Sequence, residues 1–339
     1  MVDSAQKDCQ AFNYCLNDIL ITVKPELDSL ERKLIQELSG NNPFLNKITE
    51  HIIQAGGKRL RPALVFLFSK AFNGSFVSSN HLRLAIASEL IHTATLIHDD
   101  IIDEADERRG IQTINSKWSD KAAVIAGDYL LAKSLKNLAL TKNVNVIEIF
   151  SNILSEICEG EITQNSEKYQ IPLLESYIEK SKRKTAMLFI ACTEGSAVLS
   201  PNSNNLKIKT ARDYALNFGI AFQIIDDVLN YMTQNNEADK PVGSDLFNGI
   251  ITAPAIFAVE EYAEKGDFIL KNLIENGLNS SEEFDLALEL ILNTQGINKS
   301  IKLAEEYSQK ACQSIETLEE NEIKQTLTDL AQFVINRKK

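Results

Sequence analysis

Chemistry is concentrated between His92 and Arg109, in His-Thr-Ala-Thr-Leu-Ile-His-Asp-Asp-Ile-Ile-Asp-Glu-Ala-Asp-Glu-Arg-Arg. An apolar helical run flows into Asp99, Asp100 and Asp103. Residues 99 and 103 are four apart, so on a helix their carboxylates stand one above the other. Like charges placed this way repel by a few tenths of a kcal/mol, roughly. Solvent or bound cations offset that repulsion. Acidic clusters on helices are usually solvated faces. Here Ile91, Ala94, Leu96, Ile97, Ile101 and Ile102 surround the aspartates, which predicts a mostly buried helix. Clustered carboxylates at the end of such a helix need a compensating charge. Hard oxygen donors without His or Cys suit Mg2+. Arg108 and Arg109 follow at once, and paired arginines match phosphate through bidentate contacts. Together these residues suggest a diphosphate held through bridging metal.

Four further segments carry charge in suggestive places. Gly56-Gly57-Lys58-Arg59-Leu60-Arg61-Pro62 puts three cations in a turn at a predicted helix start, where an anion is best held. Lys184-Thr185 ends a polar half-helix whose continuation, Met187 to Leu199, is nearly all apolar, so Lys184 sits at an entry to the core. Gln223, Asp226 and Asp227 interrupt a second apolar helix and repeat the first pattern 127 positions on (226 minus 99). The loop after it contains Lys240-Pro241-Val242-Gly243-Ser244-Asp245.

The elements that must position these groups read almost entirely as helices, with Gly scarce and few alternating strand-like runs. Pro25 opens a helix towards Ser39, and another runs from about Asn80 to the first aspartates. Trp118-Ser119-Asp120 opens a third, Pro172 a fourth, and amphipathic helix continues from Ile251. Gly110 to Thr113 reads as a connection, and Asn235 to Gly249 as a longer loop. No internal repeat or linker divides the chain. The expected fold is all-α, one domain over residues 1–339 with about residues 1–20 loosely attached.

Composition limits the partners. The net charge of −12 argues against nucleic acid and against an electrostatic hold on anionic membrane. No apolar run approaches the ~20 residues of a membrane span, so stable membrane insertion is not expected. Met1 to Asp8 reads as neither a signal nor a transit peptide. The five cysteines are scattered without CxxC spacing, which fits a reducing cytoplasm.

Taken in order, Gly-Gly-Lys-Arg-Leu-Arg-Pro, Asp-Asp-x-x-Asp with Arg-Arg-Gly, Lys184-Thr185, Gln223 with Asp226-Asp227, and Lys240-Pro-x-Gly-x-Asp resemble the trans-isoprenyl (polyprenyl) diphosphate synthases. The piece Gly243-Ser-Asp-Leu-Phe-Asn-Gly-Ile-Ile-Thr-Ala-Pro-Ala resembles the cyanobacterial and plastid solanesyl-type subgroup in particular. The resemblance implies an isoprenoid-synthase helical bundle around a central cavity, acting as a homodimer. It implies head-to-tail condensation of isopentenyl diphosphate with an allylic diphosphate, with three Mg2+ ions per loaded site. Carried over by motif, Asp99, Asp103 and Asp226 are metal ligands, with Asp100 and Asp227 beside them. Lys58, Arg61, His92 and Arg109 hold isopentenyl diphosphate. Arg108, Lys184, Thr185, Gln223 and Lys240 hold the allylic diphosphate. His92 alone would read as a core histidine, but it lies two turns before Asp99 on the same face.

The chain departs from the family pattern at Asn230, where a third aspartate is usual, and at Ile250, where a lysine is common. Product length is expected to depend on Ile91, Ala94 and Thr95, which precede Asp99 by eight, five and four positions. The family places aromatic residues at the last two when products are short. Here they are small, which predicts an open floor and a long-chain product; the alternative is a farnesyl or geranylgeranyl diphosphate synthase. A terpene cyclase would need no basic turn and would carry an Asn-Asp-x-x-Ser-x-x-x-Glu motif, which is absent. A non-catalytic partner subunit would be expected to lose the metal carboxylates, which are kept here.

Overall fold

Several helix starts fall where a side-chain cap sets them. The structure, a computed structural model, describes residues 16–40, 42–108, 110–166, 168–232 and 242–337. A short helix α1 (Leu16–Ile19) and a 3-10 turn lead into α2 (Lys24–Leu38), α3 (Pro43–Gln54) and α4 (Leu60–Asn73). Pro25 lies in the first turn of α2, and Asn42 caps α3 by accepting from the Phe44 and Leu45 amides. The first aspartates end α5 (Ser79–Ile102), which Ser78 caps. Two short strands, β1 (Glu107–Arg108) and β2 (Ile111–Gln112), then α6 (Ile114–Lys117), α7 (Asp120–Leu140) and α8 (Val144–Ser166) follow. The connection expected at Gly110 is therefore the turn of an antiparallel hairpin in which Arg108 pairs with Ile111.

The helix expected to begin at Pro172 starts at Leu174 instead: α9 (Leu174–Ser181) passes through a π-helical turn, Lys182–Ala186, into α10 (Met187–Leu199). The second aspartate pair lies on α11 (Asn205–Met232). The longer loop contains a one-turn helix, α12 (Ser244–Phe247). The remainder is α13 (Ala253–Glu264), α14 (Ile269–Glu275), α15 (Ser281–Leu292), α16 (Gly296–Ser314) and α17 (Glu322–Asn336). Of the N-terminal segment, residues 16–20 are described; Ile19 and Leu20 are buried, and this stretch meets α17.

α10 explains the separation of the two aspartate pairs. It is nearly all apolar, with Glu194 its one charged residue, so most of its surface must be buried. It packs against α4, α5, α8 and α11. Phe189 on α10 meets Phe218 and Phe222 of α11 edge-on, with centroids 5.1 and 5.7 Å apart. Each such ring contributes about 2–3 kcal/mol by leaving water. α5 lies along α7 on one side and α11 along α16 on the other. α5 and α11 thus become two walls of one cavity. Among the described residues no helix is long and apolar enough to cross a membrane.

Candidate active site

The cavity between those walls encloses about 1720 Å3. Ten of the expected residues line it: Lys58, Arg61, His92, Thr95, Asp99, Asp100, Arg108, Lys184, Thr185 and Asp226. Five do not: Ile91, Ala94, Asp103, Gln223 and Asp227. Arg109 and Lys240 lie outside the described residues.

On the first wall, α5 runs out at Ile102 and Asp103 caps it in helical conformation. The Asp103 amide donates to the Asp99 carbonyl at 2.8 Å, so the four-residue stacking survives the helix end. Asp103 itself is exposed. Asp100 is turned inward and buried, and the compensating charge is Arg108, whose Nε lies 2.7 Å from Asp100 Oδ1. The hairpin brings Arg108 back over the helix end. His92 and Asp99 share the cavity face, and the Thr95 hydroxyl donates to the His92 carbonyl at 2.8 Å. Ala94 and Ile91 are wholly buried behind that face.

The basic turn is held by a residue to which the sequence assigned no role of its own. Arg59 has φ 50° and ψ 31°, a left-handed conformation that costs a non-glycine residue about 1–2 kcal/mol. Two carboxylates offset that cost: Arg59 Nε lies 2.6 Å from Glu31 of α2, and Nη1 2.6 Å from Glu89 of α5. Glu89 is buried, three residues before His92. A glutamate inside an apolar run was the available signal, because such a residue needs a partner. This lock ties the turn to the aspartate-bearing helix and leaves Lys58 and Arg61 on the cavity side. The Arg61 guanidinium lies 4.5 Å from the Phe189 ring centroid.

The second wall splits its two aspartates. Asp226 faces the cavity, with 43% of its side chain accessible there. Burial raises its pKa, while the charges of Arg337, Lys58 and Arg61 act the other way, so the basic turn and this wall share one electrostatic environment. Asp227 is turned inward. It accepts from the Tyr177 hydroxyl at 2.6 Å and from Gln223 Nε2 at 2.7 Å, and Gln223 Oε1 accepts from Thr185 at 2.5 Å. Burial, then Asp245, push Asp227 up to about 8; the donors Tyr177 and Gln223 oppose them, and Asp226 adds to the rise. The chain Tyr177–Asp227–Gln223–Thr185 ties α9 and α11 to the π turn that presents Lys184. The wide turn is a common device at functional sites. Gly219 permits it: a Cβ there would come 2.5 Å from the Ala186 Cα.

Asn230 has a different occupation. Its Nδ2 donates to the Ser244 hydroxyl at 2.8 Å, and its Oδ1 accepts from the Asp245 amide at 3.3 Å. It fastens the start of α12. Arg337, just past α17, was not anticipated: it lines the cavity and its Nη2 lies 2.5 Å from Asp226 Oδ1.

The donor set suits a small hard cation. Among the described residues no group of three or more His, Cys, Asp or Glu side chains forms a ready metal cage. Each wall instead offers one cavity-facing carboxylate that the sequence assigned to metal, Asp99 and Asp226. That arrangement is typical of Mg2+, which takes one or two carboxylates and completes its shell with water and substrate phosphate.

Known proteins share this arrangement of helices. A prenyl transferase of Cyanophora paradoxa is 38% identical over 327 residues, covering 95% of this chain and 98% of its own. The chloroplastic solanesyl-diphosphate synthase 2 of Oryza sativa subsp. japonica is 35% identical over 327 residues, 95% of this chain and 80% of its own. The crystal structure of a polyprenyl synthase from Caulobacter crescentus CB15, complexed with calcium and isoprenyl diphosphate, superposes with a TM-score of 0.88. It is 28% identical and the match covers 96% of this chain and 98% of that one. The polyprenyl synthetase family model matches residues 42–291, well over half of the sequence, and the chain belongs to that family.

Proposed function

We propose that this chain is a Mg2+-dependent head-to-tail prenyltransferase that builds a long-chain all-trans polyprenyl diphosphate from isopentenyl diphosphate and an allylic diphosphate. The observation that carries this reading is one cavity bordered by Asp99, Asp226, Lys58, Arg61 and Lys184 and continuing between aliphatic walls. Asp99, Asp103 and Asp226 would hold the metal, with three ions in the loaded site. When bound, the metal supplies positive charge that neutralises the leaving diphosphate. Lys184, Thr185 and Arg108, with Lys240, hold the allylic diphosphate; Lys58, Arg61 and His92, with Arg109, hold isopentenyl diphosphate. Gln223 acts through Thr185.

The allylic C–O bond breaks and its electron pair leaves with the diphosphate. The isopentenyl double bond attacks the carbocation, a C–C bond forms, and a proton is lost to the released diphosphate. Leu188, Phe222 and Leu229 keep water from the cation. No covalent nucleophile is required. Product length is supported by the solanesyl-diphosphate synthase relative and by a small residue, Thr95, on the cavity wall.

We read the active species as a homodimer. The outer face of α7 leaves Val124, Ile125 and Leu135 at 44, 55 and 53% exposure, and Val144 at the start of α8 at 74%. A second copy covering that face is the economical way to remove it from water. Cys158, Cys192 and Cys312 are free thiols, which supports a reducing, cytoplasmic location.

The direct test is incubation of the purified chain with labelled isopentenyl diphosphate, an allylic starter and Mg2+. Label is expected in products longer than twenty carbons, and chelation by EDTA is expected to abolish it. Absence of any prenyl product sinks the reading. The positioning role of Arg59 has its own signature. In Arg59→Leu the turn loses its lock, and the KM for isopentenyl diphosphate is expected to rise about tenfold. The KM for the allylic substrate should change far less; an equal rise in both would make Arg59 merely a stabiliser of the fold.

A further inference from the structure

Arg337 is placed as a counter-ion rather than as a surface residue. Only 3% of its side chain is exposed. Nη2 contacts Asp226 Oδ1 at 2.5 Å and donates to the Phe222 carbonyl at 2.7 Å. The guanidinium carbon lies 3.8 Å from the Phe222 ring centroid. Nε is buried without a hydrogen-bond partner. A buried guanidinium with an unsatisfied donor is expensive, and the Asp226 carboxylate is the charge that offsets it. A divalent ion needs that same carboxylate, and two cations on one carboxylate repel across a few ångströms of a partly dry cavity.

We propose that Arg337 is the resident counter-cation of the second aspartate motif, and that a divalent ion reaching Asp226 exchanges with it. The proposal rests on the reading of Asp226 as a metal ligand. Before loading, the arginine keeps a cavity-facing carboxylate neutralised and ties the end of α17 to α11. On loading, that tie breaks and the guanidinium is released beside the phosphate-binding cations. The second wall therefore binds metal more weakly than its carboxylate alone would, and the difference is set by a residue outside the aspartate motifs.

The test uses the full chain and Mn2+ alone at pH 8, with free ion followed by electron paramagnetic resonance. Asp226→Asn defines the part of the isotherm that belongs to this wall. Arg337→Met, which keeps an apolar side chain over Phe222, is expected to move that part to about tenfold lower free Mn2+. Arg337→Lys keeps a competing cation and should stay near the unsubstituted protein. Unchanged or weaker binding in Arg337→Met overturns the exchange, as does equal tightening in both variants. If Asp226→Asn leaves the isotherm intact, the metal reading of this wall fails instead, and the exchange falls with it. Amide hydrogen exchange needs no variant. In the unsubstituted protein, saturating Mn2+ should speed exchange over residues 333–337, and unaltered protection there overturns the proposal.

Discussion

Asp99→Ala and Asp103→Ala are each expected to lower turnover by about 100-fold or more, the scale on which charge-stabilising groups act. Asp103→Ala should not cost stability. Asp99 faces the cavity, and removing it relieves the repulsion between stacked carboxylates, a few tenths of a kcal/mol, roughly. Asp103 caps the C-terminal end of α5, where a negative charge opposes the helix dipole, so its loss should stabilise by about 0.3–1 kcal/mol. Asp100 is the contrast. It is buried against Arg108, and Asp100→Ala leaves that arginine without its carboxylate, at a cost of about 1–3 kcal/mol. Steady-state rates beside thermal midpoints separate the cases. Near-normal turnover in Asp103→Ala would remove it from the metal site, and a large fall in midpoint for Asp99→Ala would make that residue structural.

The unsubstituted protein should release products longer than twenty carbons, and Thr95→Phe should shorten them. Thr95 is on the cavity wall four residues before Asp99, about 6 Å along the helix. An aromatic ring there stands across the path of a chain whose diphosphate end is fixed near the aspartates. The structure divides the pair that the sequence treated together. Ala94 lies about 100° further round α5 and is wholly buried. Phenylalanine at 94 therefore overpacks the core by about 1–3 kcal/mol before it can reach the cavity. Ala94→Phe should lower the thermal midpoint and shift product length little. Chromatography of the dephosphorylated products, beside the two melting curves, decides the matter. Products of unchanged length from Thr95→Phe would remove this residue from the chain's path.

The sequence by itself determined the helices and the placing of the aspartates on them. Those features depend on near neighbours. Asn42, Ser78 and Ser119 cap helices through amides two or three residues away, and the apolar period around Asp99 and Asp226 follows from one helical repeat. A motif order spread over residues 56–245 then identified the family, and the comparisons agree.

Partnerships across the chain were decided only by the tertiary structure. Arg59 meets Glu89 from 30 positions away, Tyr177 meets Asp227 from 50, and Arg337 meets Asp226 from 111. No local pattern encodes such pairs, because each joins elements that meet only once the helices have packed, α9 and α17 against α11 among them. The same limit applies to the paired aspartates. In both motifs adjacent carboxylates look alike in sequence, yet a 100° step along the helix separates their partners: Asp100, at the cavity edge beside Asp99, is tied to Arg108, and Asp227, outside the cavity, to Tyr177. Asp226 faces the cavity and Asp227 does not, while Asp100 borders it as an anchor for Arg108, because the direction of each wall is set by packing rather than by the motif.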